Sequence, residues 1–355
     1  MVQLSIVRAA NRLLAQDRPL VAVFVGATSG IGEYTLLALA RTHGDTGKGL
    51  RVYLVGRSAG AAKKITLECQ TLCPSGDFRF VQVKNLTLLH EADACCKQII
   101  KLEEGDPFDG SSARVDILCM SQGYLRFGAA EITSEGLEVS MALLFYTRMR
   151  FTLNLMPLLI NASSPAHVIS VFGAGMEKGA ALYKEDLSLA KDPARHYSVL
   201  NVRVHVAHIT TMYFEHLAQQ HAGKLSLVHV FPGLVVTPAF SDSNFPWWSK
   251  GLWFLLGPIA RWFIAVGPEE IGERVLFLAT PRYPGRQQTS ESTSDVAMGT
   301  DGARGGGAYS CNWNGETNDI EKLYTTLREQ GFRDQVREHV GKVCAAIDAQ
   351  QQFEE

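Results

Sequence analysis

Short runs of apolar residues recur along the first two thirds of the chain, and stretches of helical length separate most of them. Near-continuous apolar runs with β-branched residues, such as residues 20–25, are typical of strands buried on both faces of a parallel sheet. The six runs are residues 20–25, 51–55, 78–83, 115–119, 167–171 and 225–231. Strands that alternate with helices predict an α/β fold with a doubly wound parallel sheet.

The two ends of the chain depart from this alternation. Residues 1–19 predict an amphipathic helix, because Arg8 and Arg12 interrupt an apolar segment that lacks the small-residue cleavage site of a secretory signal. We assign residues 20–240 to the core that contains the sheet. Residues 241–355 predict an extension that comprises an aromatic segment, a polar glycine-rich loop and one or two final helices.

The stretch FVGATSGIGEYTLLALA, residues 24–40, joins the first predicted strand to a helix. A helix N-terminus offers free backbone N–H groups and the positive end of the helix dipole, which together bind anions such as a diphosphate. A tight structural turn would also use glycines, but the strand before the turn and the helix after it favour dinucleotide binding. The predicted contacts are Gly26, Ser29, Gly30, Ile31 and Gly32.

The glycine spacing G-x-x-x-G-x-G resembles the nucleotide-binding motif of the short-chain dehydrogenase/reductase family. Two further motifs follow in the family's order: DILCMSQG at 116–123 takes the place of D-I-L-V-N-N-A-G, and PGLVVT at 232–237 matches P-G-x-x-x-T. The likeness covers about residues 20–240 and implies a single Rossmann-like sheet and an oxidoreductase. The further cofactor contacts that the resemblance implies are Asn85, Ser121, Gly123, Pro232, Gly233 and Thr237.

Arg57 follows the second predicted strand, where NAD-specific proteins usually carry an acidic residue for the ribose 2′-hydroxyl. An acidic side chain would repel a 2′-phosphate, whereas a guanidinium binds it with two hydrogen bonds. The sequence therefore predicts NADP(H) as the cofactor. A solvated charge at the end of a strand is the alternative role for Arg57.

The proton-transfer residues of the family are only partly present. The resemblance implies a Tyr with a Lys four residues later, a Ser and an Asn; the Lys matters because a phenol, with a pKa of about 10, needs a nearby cation to act near neutral pH. Tyr197 supplies the phenol, and Asn201 stands at the Lys position. Leu144 falls at the Asn position and Gly173 at the Ser position, with Ser170 out of strand parity. The catalytic candidates are Tyr197, Asn201 and Ser170.

Other side chains near these positions offer phenols, imidazoles or cations, and we rank them below Tyr197. They are His196, His205, His208, the pair Tyr146 and Arg150 four residues apart, and the adjacent Tyr183 and Lys184.

Residues 240–266 are rich in Trp and Phe and follow the P-G-x-x-x-T motif, where the family carries a substrate-covering lid. Rigid aromatic surface suits a bulky hydrophobic ligand; contact with a membrane surface through 245–266 and ordinary core packing are the alternatives. The whole pattern resembles a divergent branch of the family associated with fungal biosynthetic gene clusters. The resemblance implies a role in secondary metabolism.

Composition limits the partners. The formal net charge of −2 provides no basic surplus for the phosphates of a nucleic acid, so we exclude nucleic-acid binding. The seven cysteines are odd in number and lack paired C-x-x-C spacing, which predicts neither a metal site nor a disulfide framework and favours a reducing, cytoplasmic compartment. Pro258 and Arg261 interrupt the longest apolar run, so no membrane-spanning helix is predicted.

The leading prediction is an NADP(H)-dependent oxidoreductase that acts on a carbonyl or hydroxyl group of a hydrophobic small molecule. Because the Lys, Ser and Asn positions are substituted, two alternatives stay open. One is a cyclase, isomerase or dehydratase on the same fold, and the other is a non-catalytic nucleotide-binding protein.

Overall fold

Seven parallel strands form a single sheet in the part of the chain that the computed structural model describes, residues 1–124, 126–235, 266–287 and 295–355. The strands are β1 Leu20–Val25, β2 Leu50–Gly56, β3 Asp77–Gln82, β4 Ile117–Met120, β5 Ala166–Val171, β6 Leu225–Phe231 and β7 Ala308–Asn312. Their order in the sheet is β3-β2-β1-β4-β5-β6-β7, and every pairing is parallel. The predicted α/β fold with a doubly wound parallel sheet is confirmed.

Helices lie on both sides of this sheet. They are α1 Leu4–Asp17, α2 Gly30–His43, α3 Ala59–Leu72, α4 Leu89–Gly105, α5 Val139–Met141, α6 Thr147–Asn154, α7 Met156–Leu159, α8 Pro193–His196, α9 Val199–Gln220, α10 Pro268–Phe277, α11 Glu321–Glu329 and α12 Phe332–Asp348. A π-helical turn, Ala142–Tyr146, joins α5 to α6. The predicted N-terminal helix and the predicted final helices are confirmed as α1, α11 and α12.

Alternate residues of β1 face opposite sides of the sheet, as strand geometry requires. Val21 and Val23 pack in an apolar cluster that includes residues of α4, α6, α9 and α12. Ala22 and Phe24 pack in a second cluster, with residues of α1, α2, α3 and α10. Both faces of the strand are therefore buried, which explains its near-continuous apolar sequence.

The seventh strand, β7, is absent from the sequence prediction, which treated residues 281–307 as a polar loop and placed no strand after it. Its side chains are nevertheless buried up to Cys311. Thr300, just before β7, donates a hydrogen bond to Glu215 on α9 over 2.8 Å. This buried contact therefore attaches the C-terminal part of the polar segment, which leads into β7, to the core.

No helix among the described residues is both long and apolar enough to cross a membrane. The seven cysteines are free thiols, and all except Cys344 are fully buried. They behave as small apolar side chains of the core, as the sequence predicted.

Candidate active site

The turn after β1 has the backbone that its glycines were expected to provide. Gly26 and Gly30 adopt positive φ values of 81° and 65°, which L-residues with a Cβ rarely do. A Cβ on Gly26 would lie 2.5 Å from the backbone nitrogen of Gln122, which follows β4. The turn therefore lies directly against the neighbouring strand end, and α2 begins at its far side.

Gly32 fixes the position of α2 rather than facing the pocket. A Cβ there would overlap the Ser121 hydroxyl and would lie 2.9 Å from the Cα atom of Ala27. The first turn of α2 consequently packs closely on the ends of β1 and β4. Its free N–H groups are aimed at the space beyond the carboxyl ends of these strands, which is where α/β proteins bind nucleotides.

A pocket opens at this point, and eight of the predicted cofactor residues line it: Gly26, Ser29, Gly30, Ile31, Arg57, Asn85, Ser121 and Gly123. The other lining residues are Thr28, Gly56, Leu86, Thr87, Gln122, Tyr124 and Leu143. None of these lining residues carries a carboxylate, and Arg57 is the cation among them. Such a lining suits an anionic ligand.

The P-G-x-x-x-T motif, which follows β6, contributes none of its described residues to the pocket lining. Pro232 and Gly233 are not among the residues that line the pocket. Gly233 has a positive φ of 76°, and a Cβ on it would lie 3.1 Å from the ring of Trp313. Thr237 and almost all of the predicted aromatic lid lie outside the described residues.

Arg57 is exposed at the end of β2, and its guanidinium forms no ion pair with the described part of the chain. Its backbone carbonyl accepts a hydrogen bond from Gln82. The next residue, Ser58, caps α3 by accepting from the Ala61 N–H over 3.2 Å. The guanidinium is therefore free for a ligand, beside a second helix N-terminus.

Tyr197 lies between α8 and α9 with an extended backbone, not within a helix as the spacing to Asn201 had suggested. The cause is local, because Ser198 caps α9 by accepting from the Asn201 N–H over 3.0 Å. The Tyr197 hydroxyl donates to the carbonyl oxygen of Arg126 over 3.0 Å and lies 3.3 Å from the Ser140 hydroxyl. Burial raises the pKa of this phenol above its ordinary value. The phenol therefore holds its proton at neutral pH, and release of that proton needs help from neighbouring groups.

The side chain of Asn201 forms hydrogen bonds at the start of its own helix, α9. Its amide donates to the carbonyl oxygen of His196 over 2.7 Å and its side-chain oxygen accepts from the Ala181 N–H over 3.2 Å. The amide therefore holds the entry to α9 and brings no positive charge to Tyr197.

The loop before Tyr197 is fixed by two carboxylates. Asp186, fully buried, accepts from the N–H groups of Ala190 and Lys191, and one of its oxygens lies 2.7 Å from His196 Nδ1. The side chain of Glu355 accepts from the Ser188 N–H over 3.2 Å. The position of Tyr197 thus depends on contacts from a distant part of the chain.

Ser170 is bound to a buried cation rather than to Tyr197. Its hydroxyl accepts from Arg148, a fully buried side chain on α6, over 2.8 Å. The same guanidinium donates to the carbonyl oxygens of Val171 and Gln122, at the ends of β5 and β4. Burial without a carboxylate lowers the pKa of Arg148 to about 9. Arg148 is not among the candidates from the sequence, because no motif marks it and a cation on a helix is expected to reach solvent.

The lower-ranked sequence candidates each have other partners. The Tyr146 hydroxyl lies 2.6 Å from Nε2 of His339, and Arg150 pairs with Asp93 and Asp348. Lys184 donates to Gln330, while the ring of Tyr183 stacks on His196 at 3.9 Å between centroids. His205 accepts from the Tyr183 N–H, and His208 Nδ1 lies 2.8 Å from the carbonyl oxygen of Val204.

His229, on β6 beneath this site, is expected to make folding stability sensitive to acid. It is fully buried, and burial together with the Arg148 charge lowers its pKa from 6.5 to about 3. Its contribution to stability is complete above pH 6.5 and falls as pH decreases towards 3, because the unfolded chain then binds a proton that the folded protein does not. The slope is about 1.4 kcal/mol per pH unit.

A His229→Gln variant keeps an acceptor for the Gly173 N–H, which donates to His229 over 3.2 Å. Between pH 7 and pH 5 the free energy of unfolding of this variant, from urea titrations, is expected to fall by about 2 kcal/mol less than that of the unmodified protein. An equal fall in both proteins would show that His229 is protonated in the folded state as well.

Several fungal relatives span nearly the whole chain, among them the following two. No protein-family model matches the chain. "Short-chain dehydrogenase/reductase SAT2" of Stachybotrys chartarum is 36% identical over 343 residues, 96% of both chains. "Oxidoreductase AN1596" of Emericella nidulans is 36% identical over 345 residues, 96% of this chain and 97% of the relative. A solved 3-oxoacyl (acyl-carrier-protein) reductase from Agrobacterium tumefaciens with NADP bound matches with a TM-score of 0.54, at 19% identity, over 76% of this chain and 90% of the other. This last likeness is one of fold.

Proposed function

Because this chain belongs to the short-chain dehydrogenase/reductase family, we propose that it is an NADP(H)-dependent oxidoreductase that acts on a carbonyl or hydroxyl group of a hydrophobic small molecule. The observation that carries the proposal is the pocket at the strand ends, where the turn of Gly26 and Gly30 meets Arg57 and no lining carboxylate opposes an anion. The fungal origin of the relatives supports a place in secondary metabolism.

The pocket residues fit the parts of the cofactor in turn. The free N–H groups at the start of α2, from Ser29 to Gly32, would hold the diphosphate, and Arg57 would bind the 2′-phosphate in bidentate fashion. Asn85 and Ser121 lie along the same pocket and offer polar groups to the nucleosides. When bound, the cofactor supplies or accepts the hydride.

We assign the proton transfer to Tyr197. Its hydroxyl forms hydrogen bonds only with the Ser140 hydroxyl and the carbonyl oxygen of Arg126 among the described residues. Asn201 and Ser170 would then act through other groups. Asn201 holds the helix end beside the tyrosine, and Ser170 orients the buried Arg148 between the ends of β4 and β5. The hydrophobic substrate rests on the aromatic composition of residues 240–266, and the free thiols favour a cytoplasmic location.

An Arg57→Glu variant tests the cofactor assignment. Loss of a charge-assisted hydrogen bond costs about 1.5–3 kcal/mol, so the affinity for NADPH is expected to fall at least about tenfold while that for NADH stays nearly constant. Nucleotide fluorescence titration measures both. The control is Arg12→Glu, which makes the same charge change on an exposed position of α1. An equal loss of affinity for NADPH and NADH would contradict the assignment of Arg57 to the 2′-phosphate.

A reaction without hydride transfer is the second candidate, and the amide of Asn201 in place of an ammonium favours it. A cyclase, isomerase or dehydratase would need the enclosed site but not the redox state of the nucleotide. Product formation that persists after removal of NADP(H) would support this candidate and contradict the first.

A further inference from the structure

Three side chains form a continuous hydrogen-bonded row that ends at Tyr197. Glu138 and Ser140, around the start of α5, are 0% and 4% exposed. The Ser140 hydroxyl lies 3.2 Å from one carboxyl oxygen of Glu138 and 3.3 Å from the Tyr197 hydroxyl. A carboxyl group, an alcohol and a phenol are thus placed in series, with spacing that permits proton transfer along the row.

Two pocket residues connect the pocket to this row. Leu143, in the π-helical turn, lies three positions after Ser140 and lines the pocket. Tyr124 also lines the pocket and is near enough to Tyr197 to influence its pKa. The row therefore approaches the part of the pocket that Tyr124 and Leu143 form.

We propose that Glu138 and Ser140 relay a proton to Tyr197 and so replace the cation that this site lacks at Asn201. The inference rests on the proposed function. In the reductive direction a substrate carbonyl that has received a hydride becomes an alkoxide, and the O–H bond of Tyr197 breaks to give the alcohol. The Ser140 proton then passes to the tyrosine oxygen, and the Glu138 proton passes to Ser140. Glu138 is left as a carboxylate. Because it is fully buried, it regains its proton by the reverse transfer through Ser140 from Tyr197, which is half-buried and takes up a proton from water once the product has left.

In the structure the Ser140 hydroxyl donates to one carboxyl oxygen of Glu138, and the Tyr197 hydroxyl donates to the Arg126 carbonyl. A proton on that carboxyl oxygen reverses the first bond: Glu138 then donates to Ser140, and Ser140 donates to Tyr197. The second carboxyl oxygen still accepts from the Met141 N–H over 2.9 Å. Burial raises the pKa of Glu138, which favours the protonated form.

The charged groups around the row are few. Arg126 faces both Glu138 and Tyr197 and favours their ionised forms, but it is itself paired with the exposed carboxylate of Glu131. Tyr124 and Tyr197 are the other titratable groups that meet there. Burial has a larger effect on the pKa of Glu138 than Arg126 has and raises it, which is the direction that the role of an acid at the end of the row requires.

Glu138 also caps α5, so the test must separate this structural role from proton transfer. Glu138→Gln keeps an oxygen for the Met141 N–H and an N–H for Ser140, but it cannot release a proton. Ser140→Ala removes the middle hydroxyl, and Ser140→Thr restores one. Glu104→Gln is the matched control, because it removes an exposed carboxylate on α4 that has no contact with the row.

The experiment measures oxidation of NADPH with benzil, a bulky apolar diketone, and with menadione across pH 5–9 for the full-length protein and each variant. We expect kcat to fall at least about tenfold in Glu138→Gln and Ser140→Ala, with KM for NADPH unchanged and with wild-type rates in Ser140→Thr and Glu104→Gln. In the unmodified protein kcat should fall as pH rises through the titration of Glu138, and this dependence should vanish in Glu138→Gln.

Two results would overturn the relay: a Glu138→Gln variant with the unmodified pH profile, or equal losses in Ser140→Ala and Ser140→Thr. Circular dichroism establishes that each variant is folded. If the unmodified protein neither binds NADPH nor oxidises it with either carbonyl compound, the proposed function fails first. If Tyr197→Phe abolishes turnover and Glu138→Gln preserves it, the relay is wrong and the proposed function still stands.

Discussion

Replacement of Tyr197 by Phe is expected to reduce turnover at least about a hundredfold while NADPH binding is retained, since a well-placed acid/base group contributes about 10²–10⁴ to the rate. The variant loses the hydroxyl that meets Ser140 and the Arg126 carbonyl, and it keeps the ring that packs against the core. Steady-state NADPH oxidation with benzil and fluorescence titration of the nucleotide measure the two quantities separately.

Tyr183→Phe provides the control for this substitution. Tyr183 lies on the same loop, and its ring stacks on His196, so the variant removes a neighbouring phenol without touching the Tyr197 hydroxyl. Its turnover should equal that of the unmodified protein. If Tyr197→Phe also retained full turnover, the proton would have to come from another group and the assignment of Tyr197 would be wrong.

Gly32→Ala is expected to weaken NADPH binding about a hundredfold, although this glycine does not line the pocket. The added Cβ would meet the Ser121 hydroxyl and the Ala27 backbone, so the first turn of α2 must move. Two or more hydrogen bonds to phosphate would then lose their geometry, each worth about 1.5–3 kcal/mol. Overpacking should also lower the free energy of unfolding by about 1–3 kcal/mol.

Gly341→Ala makes the same chemical change where a Cβ meets nothing within 4 Å, on α12. This control should gain about 0.5–1 kcal/mol of stability, because alanine favours a helix interior over glycine. The two variants should therefore change stability in opposite directions in urea titrations. Unchanged nucleotide affinity in Gly32→Ala would mean that the start of α2 does not hold the diphosphate.

The sequence was informative where a pattern is local. Six strands are predictable because each leaves a run of apolar residues, and five of them, all except the edge strand β3, are buried on both faces. The strand β7 is not, because Ala308–Asn312 carries polar residues, follows a polar glycine-rich segment and lies at the edge of the sheet. Its pairing with β6 is a long-range contact that no short window of sequence contains.

The same distinction holds within the site. The diphosphate turn is one continuous segment, so its glycines could be identified from spacing alone. The contact between Ser140 and Tyr197 joins residues 57 positions apart and follows from the way α5 and the π-helical turn pack against α9. The burial of Arg148 could not be predicted either, because a cation on an apolar helix is expected to reach solvent. In the structure its guanidinium lies buried between the ends of β4 and β5.

The hydrogen bonds that hold the loop between β5 and α9 affect the order in which the nucleotide turn and the Tyr197 loop form during folding. Ser188 is tied to Glu355, and the backbone of Phe353 is tied to Glu135 over 2.9 Å. The nucleotide turn depends on β1, α2 and β4 and on α10, which packs closely on α2, and all of these precede residue 278. Tyr197 gains its final support only when residues 353–355 have been synthesised and have docked, so catalytic competence should emerge after nucleotide affinity during biogenesis.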